Sequence, residues 1–184
     1  MAIALEIAVN IQQHSIPASA ALAALQRNHI DHVVTVPDWV QLALHERLES
    51  ATSAIKVINC VNENQVVTVA AGLTIGGKRP LTMMQNQGLY NCINTLRAVC
   101  LDAHIPMVFL VGQFGREFDN IGHPATQSRR SMVRIAEPLL QAMGIPFRTL
   151  DAEVDLSKLD DAYAQAERDR TAVVLLVSAP MAWH

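Results

Sequence analysis

Asn59-Cys60-Val61-Asn62-Glu63-Asn64-Gln65, followed by the alanine- and valine-rich run Val66 to Leu73, is the stretch from which the rest of the chain can be read. A β-type run, Ile55 to Ile58, feeds into it, and Glu63 is the only charge between Lys56 and Lys78. A lone carboxylate between an apolar strand and an apolar helix carries a desolvation cost unless something pairs with it. Read by itself, Glu63 is equally well a first-turn helix acid, stabilised by the positive end of the helix dipole. A second stretch shifts that balance. Met84-Gln85-Asn86-Gln87-Gly88-Leu89-Tyr90-Asn91-Cys92-Ile93-Asn94 follows another apolar run, Pro80 to Met84, and opens another helix. Uncharged amides therefore stand at the ends of two successive strands, which is where open α/β sheets bind ligands. Asn62, Asn64, Gln65, Gln85, Asn86 and Gln87 offer a neutral lining of donors and acceptors around one carboxylate.

Working outward, apolar runs and helical patterns alternate along the whole chain. Residues 1–16 are ambiguous. Pro17-Ala18-Ser19 opens a helix with Ala21, Leu22 and Leu25 on one face, and Asp31 to Val36 reads as the first buried strand. Pro37-Asp38 stops that strand, and Asp38 is placed to cap a helix over Trp39 to Glu49. The strand Ile55 to Ile58 leads to a helix from Glu63 to Ile75, closed by Gly76-Gly77 and expected to be buried on more than one side. Leu81 to Met84 is a strand, and Leu89 to Asp102 a helix. Met107 to Val111 lacks polar alternation, as in a sheet covered on both faces. Gly112 to Gln127 is a long loop of the kind that is more often functional or mobile than idle. A helix over Ser128 to Met143 is broken or kinked at Pro138. Phe147 to Leu150, a Ser157-capped helix over Lys158 to Arg168, and the strand Thr171 to Val177 complete the pattern. The expectation is one domain over 1–184, a three-layer α/β/α fold around a mainly parallel six-stranded sheet.

Composition narrows the functional classes. Apolar residues make up 51% and charged residues 17% of the 184, so part of the surface is expected to be covered by other subunits. A formal charge of −3 gives no basis for nucleic-acid binding. No apolar run reaches the roughly eighteen residues of a membrane span, and no membrane partner is expected. Met1-Ala2-Ile3-Ala4-Leu5-Glu6 lacks the basic start of a secretory signal, and Cys60, Cys92 and Cys100 read as free thiols, so the expected compartment is cytoplasmic. His29-Ile30-Asp31-His32 has two imidazoles and no third ligand nearby in sequence, so no metal is assigned to this chain.

The stretches around Glu63 and around Gln85 to Asn91 resemble the pyrimidine-binding half of thiamine-diphosphate decarboxylases, most of all the sulfopyruvate and phosphonopyruvate branch. The likeness runs from His32-Val33-Val34-Thr35-Val36-Pro37 to Phe147. It implies that Glu63 is the catalytic residue, meeting the aminopyrimidine ring and sharing a proton with its nitrogen. It implies Gln85, Asn86 and Gly88 as further cofactor-binding residues, although helix capping accounts for the two amides equally well. Pro37 and Asp38 match the family's turn that faces substrate; relatives carry cysteine or serine near it, whereas this chain has Asp38-Trp39, and Asp38 also reads as a plain cap. Arg116 and His123 fall in a loop that could hold an anionic substrate, or are solvated loop groups.

The resemblance also marks a gap. The family holds the diphosphate through magnesium on a second domain carrying a Gly-Asp-Gly stretch, and no Gly-Asp pair occurs here. The resemblance implies an alpha subunit of a heteromeric, thiamine-diphosphate-dependent 2-oxoacid decarboxylase of the sulfopyruvate or phosphonopyruvate kind, whose substrate carries a second anionic group. Thiamine diphosphate would be shared with a beta subunit that holds Mg2+, and the assembled heteromer would self-associate. A carboligase subunit and a non-catalytic structural or regulatory relative remain alternatives.

Overall fold

The computed structural model describes residues 14–50 and 53–183, so most of the ambiguous N-terminal stretch lies outside the described residues. Six parallel strands form one sheet. In chain order, after a short β1 at Ile16–Pro17 and helix α1 at Ala18–Arg27, β2 is His32–Thr35. Helix α2 is Leu42–Glu49, β3 is Lys56–Asn59, α3 is Glu63–Ile75 and β4 is Pro80–Gln85. The segment after β4 divides into α4 at Asn86–Asn91, α5 at Ile93–Leu96 and a π-helical turn at Arg97–Asp102. Then come β5 at Met107–Gly112, α6 at Ser131–Arg134, α7 at Ala136–Ala142, β6 at Phe147–Leu150, α8 at Lys158–Asp169, β7 at Ala172–Val177 and β8 at Met181–Ala182.

The sheet order is β3-β2-β4-β5-β7-β6, every pairing parallel. β5 and β7 are buried along their whole lengths and β4 nearly so, which is why their sequences are continuous apolar runs. Helices α1, α2 and α8 pack one face of the sheet, through residues such as Leu25, Leu44 and Tyr163. Helices α3 to α5 and α7 cover the other, through Val66, Leu89, Leu96 and Leu140. This is the three-layer architecture expected from the alternation of patterns. The β1–β8 pair was not foreseen, because two-residue strands leave no periodic signal.

Strand order places the ligand-binding crevice. From β2 the chain moves outward to β3, then returns past β2 to β4, and from β4 it moves the opposite way to β5. Connections leaving the carboxyl ends of β2 and β4 therefore diverge, opening a crevice at that switch point.

Four local expectations need correcting. The helix expected from Trp39 starts only at Leu42, with Gln41 as its N-cap residue. Asp38 bonds a turn instead, since its carboxylate accepts from the Val40 amide. The helix expected from Leu89 to Asp102 is interrupted at Cys92. The helix expected from Ser128 breaks at Ile135, a turn ahead of Pro138, because proline offers no N–H to the carbonyl four residues back and its ring crowds that turn. Ser157 makes no side-chain cap, its hydroxyl donating to the Val154 carbonyl.

Helix α3 starts as its sequence dictates. The Asn62 side chain accepts from the Gln65 amide at 3.0 Å, and the Gln65 side chain reaches back to accept from the Val61 amide at 3.0 Å. Gly77, at φ 76°, closes the helix as the glycine pair led one to expect. Burial of this helix is one-sided, however. Val66, Val67, Ala70 and Ala71 are inside, while Gln65, Thr68, Gly72 and Ile75 are exposed. Two apolar side chains stand exposed at its ends, Val61 just ahead of it at 88% and Ile75, its last residue, at 73%.

Candidate active site

Glu63 stands on the first turn of α3, at the carboxyl end of β3, half-buried. Its partner is helix α4, through Gly88 in the first turn and Asn91 as the last residue. Asn91 Nδ2 donates to Glu63 Oε2 at 3.0 Å, and no hydrogen-bond donor is paired with Oε1 among the described residues. Gly88 lies directly beneath the carboxylate. A Cβ built there would lie 2.4 Å from Glu63 Cγ and 2.5 Å from Oε1, so only glycine lets the side chain take this position. Two further bonds lock the helices around this contact: Thr95 Oγ1 donates to Asn64 Oδ1 at 2.5 Å, and Asn64 Nδ2 donates to the Asn91 carbonyl at 3.5 Å. Burial holds the neighbouring Cys92 thiol up at about 12, with the Glu63 charge adding to the effect, so this cysteine is no nucleophile.

Gln85 is the N-cap residue of α4 and lines an open cleft of about 640 Å³ with Pro37, Asp38, Trp39, Leu42, Gln87 and Phe114. The cleft and the Glu63 contact are thus joined through a single helical turn, Gln85 to Gly88. Asn86 plays a different part. It is fully buried, donates to the Phe114 and Met132 carbonyls at 3.0 Å each, and accepts from the Gln87 amide at 2.9 Å. Its amide is committed to holding α4 against the β5 loop and α6.

Asp38 is 1% exposed. Oδ1 accepts from the Val40 amide at 2.9 Å and Oδ2 from Gln41 Nε2 at 2.7 Å. Burial pushes its carboxyl above the ordinary range, opposed by the bonds from Gln41, Val40 and Gly112. Gln41 also reaches the Met84 and Leu110 carbonyls of β4 and β5, so one buried amide ties these two strands to the turn after β2. Gly112 is the enabling residue, because a Cβ there would come 1.9 Å from Asp38 Oδ2 and 2.8 Å from Val40 Cβ. We expect Gly112→Ala to cost about 3 kcal/mol of stability through overpacking against a buried carboxylate. Urea unfolding of the two proteins measures it, and a loss under about 0.5 kcal/mol would show that the Asp38 turn adapts freely.

Arg116 and His123 do not line this cleft. The Arg116 guanidinium donates to Asn120 Oδ1 at 3.2 Å, to the Asn120 carbonyl at 3.3 Å, to Gln113 Oε1 and to the His123 carbonyl. Burial lowers its pKa. Glu117 accepts from Ser128 Oγ at 2.7 Å and from the Arg129 amide at 2.9 Å, so the loop expected to be functional or mobile is strapped internally. Asn91, to which the sequence analysis gives no role, is an exposed residue on the Glu63 carboxylate. The signal that finds it is its position three residues after Gly88, on the same helix face. His32, from the rejected metal motif, pairs with Asp31 at 2.7 Å, and among the described residues no cluster of three His, Cys, Asp or Glu side chains is placed to hold a metal.

Comparison with known proteins gives this arrangement a context. The family described as "Thiamine pyrophosphate enzyme, N-terminal TPP binding domain" matches residues 18–133, which hold β2 to β5, Glu63, Gly88 and the whole cleft. The chain belongs to the thiamine pyrophosphate enzymes. Sulfopyruvate decarboxylase subunit alpha of Methanothermobacter thermautotrophicus is 30% identical over 163 residues, covering 86% of this chain and 94% of that subunit. The subunit of the same name from Methanocaldococcus jannaschii is 28% identical over 123 residues, 67% of this chain and 69% of that one. Among solved structures, benzoylformate decarboxylase from Polynucleobacter necessarius superposes with a TM-score of 0.68 at 17% identity over 89% of this chain. 2-Oxoglutarate:ferredoxin oxidoreductase from Magnetococcus marinus gives 0.64 at 14% over 92%. This thiamine pyrophosphate enzyme chain spans about a third of the length of both, 30% and 32%. At such identities the structures establish the shared fold, while the sequence match establishes the family. Among the described residues no helix is long and apolar enough to cross a membrane.

Proposed function

We propose that the chain is the alpha subunit of a heteromeric, thiamine-diphosphate-dependent 2-oxoacid decarboxylase, in which Glu63 is the residue that handles the proton. The observation that carries this is the pinned carboxylate. One oxygen of Glu63 is held by Asn91, no donor is paired with the other among the described residues, and Gly88 supplies the notch in which the side chain rests. Those residues fit an aminopyrimidine: a carboxylate with a free oxygen accepts from, or donates to, a ring nitrogen, and a Cβ at Gly88 would fill the space its placement needs. When bound, thiamine diphosphate supplies a carbanion that adds to the carbonyl carbon of the 2-oxoacid and takes up the electrons left when carbon dioxide departs.

The work left to this chain's own side chains is positional and protonic. Asn91 donates, so Oε2 must accept, and the proton that Glu63 takes or gives moves at Oε1. In a site closed by a partner that hydrogen bond gains strength from the lower local dielectric. Gln85 and Gln87 present amides at the cleft, able to hold a carboxylate without adding charge. Magnesium and the diphosphate are assigned to a beta subunit, consistent with the absence of a Gly-Asp stretch. The names of the two sulfopyruvate decarboxylase relatives support the alpha-subunit reading.

The test is carbon dioxide release from 2-oxoacids by the chain with and without its partner, together with titration calorimetry. The expected result is turnover by the complex only, and weak binding of thiamine diphosphate with magnesium to the chain alone. Tight, magnesium-dependent binding to the isolated chain would refute the divided site.

A further inference from the structure

A second cavity, of about 340 Å³, lies at the opposite end of the sheet from Glu63, at the amino ends of β4 and β5 and between α3 and α8. Strand β4 separates the two places: Pro80 lines this cavity and Gln85 lines the cleft, roughly 17 Å away along an extended strand. The floor is apolar, made by Pro80, Pro106, Met107 and Val108. The rim is charged. Lys78 and Arg79 are cationic and Glu167 is anionic, so the lining keeps one positive charge in excess. Arg79 is already held in place. Its guanidinium lies over the Tyr163 ring at 4.4 Å, its Nε donates to the Asn28 carbonyl at 2.8 Å, and its Nη1 pairs with Glu167. The ring is fixed in turn, the Tyr163 hydroxyl donating to the Pro80 carbonyl at 2.9 Å. Among the described residues, Arg79 Nη2 has no hydrogen-bond acceptor and Lys78 no ion-pair partner. Asp31, whose carboxylate feels the Lys78 charge, is bonded to the Arg79 amide and to His32 and does not line the cavity.

We propose that this cavity is a second ligand site, for a small organic anion. One carboxylate sits between Lys78 and the open edge of Arg79, and a short aliphatic body lies on the proline-lined floor. The proposal is independent of the decarboxylase reading, because this cavity and the cleft share no lining residue. One excess positive charge matches a monoanion, whereas a cation would add to charge that is already uncompensated. A guanidinium stacked and bonded in advance loses little further freedom when it binds. The aliphatic body gains by leaving water for the apolar floor. A largely apolar cavity of this size with a few placed polar groups is the usual composition of a small-molecule site. Glu167 works against an anion, but its side chain is 53% exposed, and water weakens a charge so placed.

The experiment follows the amide resonances of the full chain by NMR while 4-methylpentanoate is added. Saturable shifts are expected at Gly77, Lys78, Met107 and Ala166, and none at Glu63 or Gly88. 4-Methylpentanamide, of the same shape without the charge, should bind at least about tenfold more weakly, the scale of a hydrogen bond to a charged group. Lys78→Ala should weaken the carboxylate by a similar factor, about tenfold. Glu167→Gln removes the opposing charge and should tighten it about two- to fivefold. Both residues are exposed, so neither variant disturbs the fold. Equal binding of the amide, tighter binding of isopentylamine, or weaker binding of the carboxylate by Glu167→Gln overturns the anion assignment. Inorganic phosphate moving the same resonances at no higher concentration means an adventitious ion only, which overturns the site. The absence of any saturable shift overturns it as well.

Discussion

Glu63→Gln is expected to lower decarboxylation by the assembled enzyme about 10²- to 10⁴-fold, the range that proton transfer by a positioned side chain is worth. The geometry makes this a clean substitution. Glutamine has the same length, and its carbonyl oxygen can still accept from Asn91 Nδ2, which fixes the amide's orientation. The amide nitrogen then takes the place of Oε1, where it can donate but cannot take up or release a proton at neutral pH. Folding should be untouched, since Glu63 is only half-buried and the Asn62–Gln65 bonds that start α3 do not involve it. Assembly should survive for the same reason, the exposed face of α3 being unchanged. The measurement is carbon dioxide release by parent and variant complexes at matched thermal stability. A variant within a few-fold of the parent would reduce Glu63 to a helix-terminal charge and remove the centre of the proposed function.

That residue was legible in the sequence because it broke a local rule. A single charge in a long uncharged stretch, ahead of an apolar helix, asks for a reason that periodicity does not supply. The layered fold was legible for the opposite cause: β4, β5 and β7 are sandwiched between helices, so their apolar runs lack alternation, and the intervening helical patterns carry their own punctuation. What escaped was of two kinds. Helix boundaries near the site shifted because Asp38 spends its carboxylate inward, on Gln41 and Val40, in place of capping. Tertiary contact overrode the local preference, and no window of sequence contains the Met84 and Leu110 carbonyls that complete the network. Partners were also invisible. Asn91 and Glu63 are far apart in the chain, and Arg116 advertises a free cation that its own loop consumes. Residue type indicated the chemistry available, and only the register between two helices decided which residues use it.

Gly88 gives the second large effect, and it separates fold from function. Gly88→Ala should leave the protein as stable as the parent or slightly more so, because alanine in a helix is favoured over glycine by about 1 kcal/mol. Yet its Cβ would stand 2.4 Å from Glu63 Cγ and 2.6 Å from Cδ, inside any real contact distance. The clash is with the far end of a flexible side chain, so Glu63 rather than the backbone gives way. Displacing the carboxylate breaks the Asn91 bond and moves Oε1 from its place, and a misplacement of about 1 Å can cost about 10²-fold in rate. We therefore expect turnover to fall about 10²-fold with an unchanged or raised melting temperature. Combination with Glu63→Gln then tests the route by which the loss arises. If Gly88 acts only through the carboxylate, the double variant is no slower than Glu63→Gln alone, as for residues that work as one unit. Multiplied losses would mean instead that Gly88 serves the ligand by its own close approach, and that the notch under Glu63 is incidental.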